Sequence, residues 1–254
     1  LIKINNFDAD AYDKYRTKNN LVHPNPVTSG DERETFTEYV LTVFSDDIKL
    51  FIARQRDEQE YINFIRGIFG EALGRGPGDP VWKLIQYLEN ESDFFYCPAS
   101  AKFHSNEQYG LVRHSLNVLA NGIKLAPVML SGEIDMYYLI VSCLFHDLCK
   151  VNMYEMKTRN IKNEETGSWE KAPYYRVSDS YISYGHGIES LLRLNKYIAM
   201  PDAWNQAIRW HMGAFDQSPL DKYAMDKAMA VYREVLFLHT ADMLSSTADE
   251  TQNI

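Results

Sequence analysis

An all-α fold is the architecture this sequence predicts, a helical bundle carrying one short β-hairpin or flap. Three observations lead there: apolar residues recur at helical spacing through most of the chain, Gly and Pro cluster in few places, and one stretch alternates. From residue 32 to 53, Phe36, Tyr39, Val40, Val43, Phe44, Ile48, Phe51 and Ile52 fall at steps of three, four and one. This spacing predicts one helix or two consecutive ones, and 57–73 follows suit. "GRGPGDP" at 74–80 has the composition of a connector, so 1–79 reads as an N-terminal helical extension or subdomain and 80–254 as the main domain. Further helices are expected at 80–90, 109–126, 133–150, 186–198, 202–212 and 229–247. Residues 152–180, rich in Tyr, Val and Ile and containing "ETG", predict the hairpin.

A chain of 254 residues with 45% hydrophobic content can bury one substantial core. Its longest apolar run, "YYLIVSCLF" at 137–145, is far shorter than the ~20 residues of a membrane span. The opening "LIKINNFDAD" lacks a signal-peptide pattern, and a cytoplasmic location is expected. Cys97, Cys143 and Cys149 form no CxxC pair, which fits a reducing compartment and buried apolar fillers. With a net charge of −9, tight binding to long nucleic acid is not expected, although one basic pocket is compatible with it.

"LIVSCLFHDLCKV", 139–151, puts His146 and Asp147 inside an apolar run. Burying an unpaired carboxylate costs several kcal/mol, against about 2–3 returned by a neighbouring Leu or Phe, so Asp147 needs a strong partner. His114, His186, His211 and Asp242 occupy comparable positions on other predicted helices or at their ends. Imidazole and carboxylate without thiolate suit Zn, Mn, Fe, Co or Ni at a reactive site rather than a structural zinc. Each residue alone has a plainer role. A single core histidine is usually satisfied by a hydrogen bond, His186 in "YGHGI" could cap a helix, and His211 could meet a helix C-terminus.

The order is what raises the odds: a histidine, a His-Asp pair thirty-two residues later, two more histidines, then an aspartate ninety-five residues after the first. "LVRHSLNV", "FHDLCK" and "LHTADMLSS" resemble the HD-domain superfamily's "LLEHSLxV", "HDxxK" and "LHxADxLD". "CPASAKFHSNEQYGLVRH" is similar to the lead-in of the branch containing the HD-domain 3′-to-5′ exoribonucleases. The resemblance spans roughly 94–248. No OB-fold pattern precedes it, which weakens RNA as substrate, and Arg113 stands where the family often has an acidic residue.

What the resemblance implies is an HD-domain helical bundle with one divalent metal held by His114, His146, Asp147 and Asp242. A second would be held by His186 and His211 and bridged by Asp147; Mn, Fe, Co, Ni and Zn are the expected ions, with Mg possible. The implied activity is phosphoester hydrolysis by a metal-activated water, on a small phosphorylated, nucleotide-like substrate or short phosphodiester. Lys150 would contact the phosphate, its plainer role being a solvated side chain or a salt bridge to Asp147. Lys102 and His104 would line the pocket, His104 as substrate contact or proton donor. His239 reads as a supporting hydrogen bond, His23 as exposed. Tyr174 and Tyr175 lie in the flap that would cover the cleft; packing explains most tyrosines without base stacking. Two other classes stay open: an HD-fold di-iron oxygenase using the same donors, and a binding or regulatory module with an idle core.

Overall fold

The computed structural model describes residues 3–20, 32–164, 166–216 and 219–250. Ten α-helices and two small sheets occur among them. Strand β1 (Lys3–Asn5) leads to α1 (Ala9–Lys18), α2 (Glu32–Ile52) and α3 (Glu58–Gly67), the last extended by a π-helical turn at Ile68–Ala72. Helices α4 (Pro80–Asn90) and α5 (Gly110–Met129) follow, then strand β2 (Glu133–Asp135) and α6 (Met136–Phe145). Strands β3 (Tyr154–Lys162) and β4 (Trp169–Val177) form the hairpin. Helices α7 (His186–Asn195), α8 (Asp202–Trp210), α9 (Pro219–Val231) and α10 (Arg233–Met243) complete the bundle. His23 and the side chain of Phe36 lie outside the described residues. No helix among those described is long and apolar enough to cross a membrane.

The mainly helical class and the hairpin agree with the sequence, and two helices were not foreseen there. In α1 only Tyr12, Tyr15 and Arg16 are buried, too few to leave a stripe. The α9 segment "PLDKYAMDKAMAV" interrupts its apolar residues with charge. Strand β1 pairs in parallel with β2, Ile4 against Ile134, a contact no local pattern announces. One continuous apolar core runs from Tyr12 through Phe44 and Phe69 to Leu116, Leu144 and Phe237, so the segment before the connector shares its interior with the rest. Within it, the buried Arg16 guanidinium donates to Asp47 Oδ2 at 3.0 Å, and the Tyr12 hydroxyl donates to the same oxygen at 3.0 Å.

The helix expected over 133–150 is shorter at both ends. Asp135 caps its start by accepting from the Tyr137 N–H. At its end, His146 Nδ1–H donates to the Cys143 carbonyl, the group that the Asp147 N–H would occupy in a continuing helix. The His-Asp pair therefore sits at a helix end, followed by a 3₁₀ turn at Leu148–Lys150. Helix α8 stops the same way: His211 Nδ1–H donates to the Ile208 carbonyl at 2.7 Å.

Candidate metal centre

Five elements converge on Asp147. His114 comes from the middle of α5, His146 from the end of α6, His186 from the first position of α7, His211 from the end of α8, and Asp242 from α10. His114, His146 and His211 are fully buried. The structure thus brings together all six residues that the sequence nominates for metal.

The two oxygens of Asp147 divide this set. Oδ2 lies 3.4 Å from His146 Nε2, 3.6 Å from His114 Nε2 and 2.6 Å from Lys150 Nζ. Oδ1 lies 2.5 Å from His186 Nε2 and 3.4 Å from His211 Nε2. Asp242 Oδ1 is 3.2 Å from His114 Nε2 and 3.9 Å from His146 Nε2. Two donors on one transition ion at ~2.0–2.2 Å stand roughly 3.0–3.5 Å apart, so the 3.2 Å and the two 3.4 Å separations suit shared ligation, while His186 and Asp147 at 2.5 Å are hydrogen-bonded.

Tautomers are fixed from behind. With Nδ1–H of His146 and of His211 committed to backbone carbonyls, each Nε2 presents a lone pair inward. The Nε2 atoms of His114, His146 and His211 are buried and make no hydrogen bond. A lone pair aimed at a carboxylate a few ångströms away is repulsive unless a proton or a cation lies between them. Among the described residues, four groups of donors close enough for an ion lie here: His114, His146, Asp242; His146, Asp147, His211; Asp147, Cys149, His186; and His104, His114, Glu250. These residues could hold a metal.

Glu250 is the residue sequence reasoning missed. It lies just beyond the π-helical turn Leu244–Asp249. Its Oε1 lies 2.9 Å from His114 Nδ1 and accepts from Asn117 Nδ2 at 3.1 Å, while Oε2 accepts from the Ser105 hydroxyl at 2.7 Å. A carboxylate behind a ligating imidazole fixes its orientation and raises its basicity. Asp147, Asp242 and Glu250 against the Lys150 ammonium leave net negative charge in the nest that a bound cation would offset.

Without a cation, protons do that work. Burial disfavours the charged form of His114, but the Glu250 carboxylate and then Asp242 outweigh it and hold the ring up to about 10. Burial likewise opposes the His186 cation, which its neighbours Cys149 and Asp147 nevertheless raise to about 9. For Asp147, burial is overcome by Lys150, His146 and His186, which keep its carboxyl well below the usual range. Glu250, in spite of burial, is brought down to about 2 chiefly by His114.

Two glycines permit the approach. A Cβ on Gly187 would stand 2.2 Å from the Arg209 carbonyl oxygen, so its absence lets α7 lie against α8 and brings the His186 and His211 rings to 5.2 Å. Gly213, at φ +57°, turns the chain after His211 where a Cβ would strike the His239 ring. His239 Nδ1–H donates to the His211 carbonyl at 2.6 Å, the supporting contact expected of it. Arg193 on α7 donates to the carbonyls of Leu148 and Val151, pinning the turn after Asp147.

A cavity of about 1120 Å³ opens onto Asp147, Lys150, His211 and Asp242. Lys150 is buried and paired with Asp147, the plainer of its two expected roles, and it also faces this cavity. His104 lines the wall with its ring 4.9 Å from that of His114, and its buried Nε2 makes no hydrogen bond. Burial, then the His114 and Lys150 charges, lower it to about 4. At neutral pH it is an uncharged donor or acceptor. Lys102 is exposed at the rim, and Arg113 also lines the cavity, paired with Glu107. All three cysteines are free and buried; Cys149 stands beside Asp147 and His186. No protein-family model, curated protein or solved structure matches the chain.

Proposed function

We propose that the protein is a metal-dependent phosphohydrolase acting on a small, nucleotide-like phosphoester. The observation that carries the reading is Asp147: buried, with one oxygen toward His114, His146 and Lys150 and the other toward His186 and His211. The division is what a carboxylate bridging two ions requires. The resemblance to the HD-domain superfamily supports the same reading from the sequence side.

Divalent ions held here would supply Lewis acidity and a water deprotonated near neutral pH. His114, His146 and Asp242 would hold one and His186 and His211 the other, with Asp147 shared. The nitrogen-and-carboxylate donors suit Mn, Fe, Co, Ni or Zn, with Mg less well matched. Lys150 presents its ammonium on the cavity floor and neutralises a substrate phosphate oxygen. His104, uncharged, donates or accepts a hydrogen bond at the ester oxygen. Lys102 at the rim guides the anion inward.

Elemental analysis of protein purified without chelator tests this, followed by turnover of bis(p-nitrophenyl) phosphate with Mn or Co added. Bound ions and chelator-sensitive turnover are expected. A preparation that neither contains nor takes up a transition ion ends the reading. The four-histidine, two-aspartate set equally favours a di-iron oxygenase, which stoichiometric iron with substrate-dependent oxygen uptake would select instead.

A further inference from the structure

A second cavity, of about 550 Å³, lies between the loop before α5 and the β3–β4 hairpin. It shares Lys102 and Asn106 with the larger cleft, so the two adjoin at these side chains. Its hairpin wall is built by register: Met156 pairs with Tyr175, and Tyr174 stands diagonal to Arg159, whose guanidinium lies 5.4 Å from the ring centroid. The size falls within the ~300–1,000 Å³ of small-molecule sites.

Its chemistry is selective. Lys102 and Arg159 are exposed cations, and among the described residues no carboxylate lines the pocket, in a chain with 35 acidic against 26 basic residues. The half-buried Tyr174 ring and the flat Arg159 guanidinium share one face of the hairpin and offer stacking surfaces to a planar group, while Met156 and Tyr175 lie on the opposite face. Aliphatic groups gain nothing from such faces beyond area, whereas an aromatic ring stacks on them.

We propose that this hairpin pocket binds the organic half of the substrate, a planar aromatic ring carried beside an anionic group, as in a nucleoside phosphate; this rests on the phosphohydrolase reading. The ring packs on Tyr174 beside the Arg159 guanidinium, Arg159 and Lys102 take the charge, and the scissile ester extends past Lys102 toward Asp147. Ring recognition is therefore assigned to the hairpin rather than to the walls of the metal cleft.

Titrations of the metal-loaded protein with AMP, GMP and ribose 5-phosphate test the proposal, with metal content determined on the same samples. The nucleotides are expected to bind about ten-fold tighter than the sugar phosphate, the scale of one stacked base. Tyr174→Ala and Arg159→Ala should each bring the ligands to within about two-fold, while Tyr174→Phe and the hairpin-end control Lys162→Ala keep the preference. A preference that persists in both alanine variants overturns the pocket, as does equal binding by the unaltered protein. Protein that carries no metal yet prefers nucleotides keeps the pocket and removes the hydrolase. A metalloprotein that binds all three alike removes the pocket and keeps the metal centre.

Discussion

Nε2 of His186 lies 2.5 Å from Oδ1 of Asp147, while Oδ2 of the same carboxylate faces His114 and His146. One side chain, at the end of α6, thus joins donors delivered by α5, α7 and α8.

His186→Ala should reduce a two-ion centre to one, leaving the His114, His146, Asp242 group intact. Asp147→Asn should empty both positions. Removing one partner of a buried charge cluster costs about 3–5 kcal/mol, at least ~100-fold in ion affinity. Metal counting on the two variants checks this; equal stoichiometry in both would refute the division of roles.

Glu250 acts through His114, so its removal should weaken ion binding without abolishing it. About 10- to 100-fold is the scale for a carboxylate behind a ligating imidazole. Glu250→Gln, which still accepts from Ser105 or Asn117, should lose less than Glu250→Ala. Competition against a chromophoric chelator reads both, and unchanged affinity in Glu250→Ala would exclude the support role.

The metal-free protein should lose stability on the alkaline side. His114 and His186 are raised from 6.5 to about 10 and about 9, so their contribution is complete below about 6.5 and disappears as pH climbs through those values. Glu250 is depressed from 4.5 to about 2, so its contribution is present above 4.5 and disappears on acidification toward 2. Calorimetry in chelator between pH 5 and 10 should show Tm falling above 6.5, with added ion flattening that fall, because ligation replaces the protons. A Tm that climbs from pH 6.5 to 9 in chelator would contradict the charge balance.

Gly187→Ala should push α7 away from α8 and separate His186 from Asp147. An overpacked contact of this kind costs about 1–3 kcal/mol, and the loss of the second ion should exceed the loss of the first. Denaturant unfolding with metal analysis measures both.

Asp47→Ala leaves the buried Arg16 guanidinium only its longer contact to Asp13, at 3.4 Å, and removes the acceptor of the Tyr12 hydroxyl. The expected loss is about 3–5 kcal/mol, and it should appear as one cooperative transition of the whole chain, because the core is shared across residue 80. Separate transitions would mean that the N-terminal part folds independently.

Six candidate ligands were legible because a histidine or aspartate inside an apolar run breaks a periodic pattern at visible cost, as His146 and Asp147 do after "LIVSCLF". Glu250 lies in the polar stretch "TADETQNI", where one more carboxylate breaks nothing. Likewise Tyr174 and Arg159 look ordinary on an alternating strand until the register sets them diagonal to each other.

By itself the sequence determined the helical class, the hairpin and the six candidate ligands that interrupt apolar helices, since burial periodicity is local. Only the tertiary structure decided that α6 and α8 end where a histidine ring takes the next carbonyl, that Asp147 divides its oxygens between two groups of histidines, and that Glu250 stands behind His114 across 136 residues. Such choices depend on long-range packing, in which a missing Cβ at Gly187 or a turn at Gly213 sets distances that no stretch of neighbouring residues encodes.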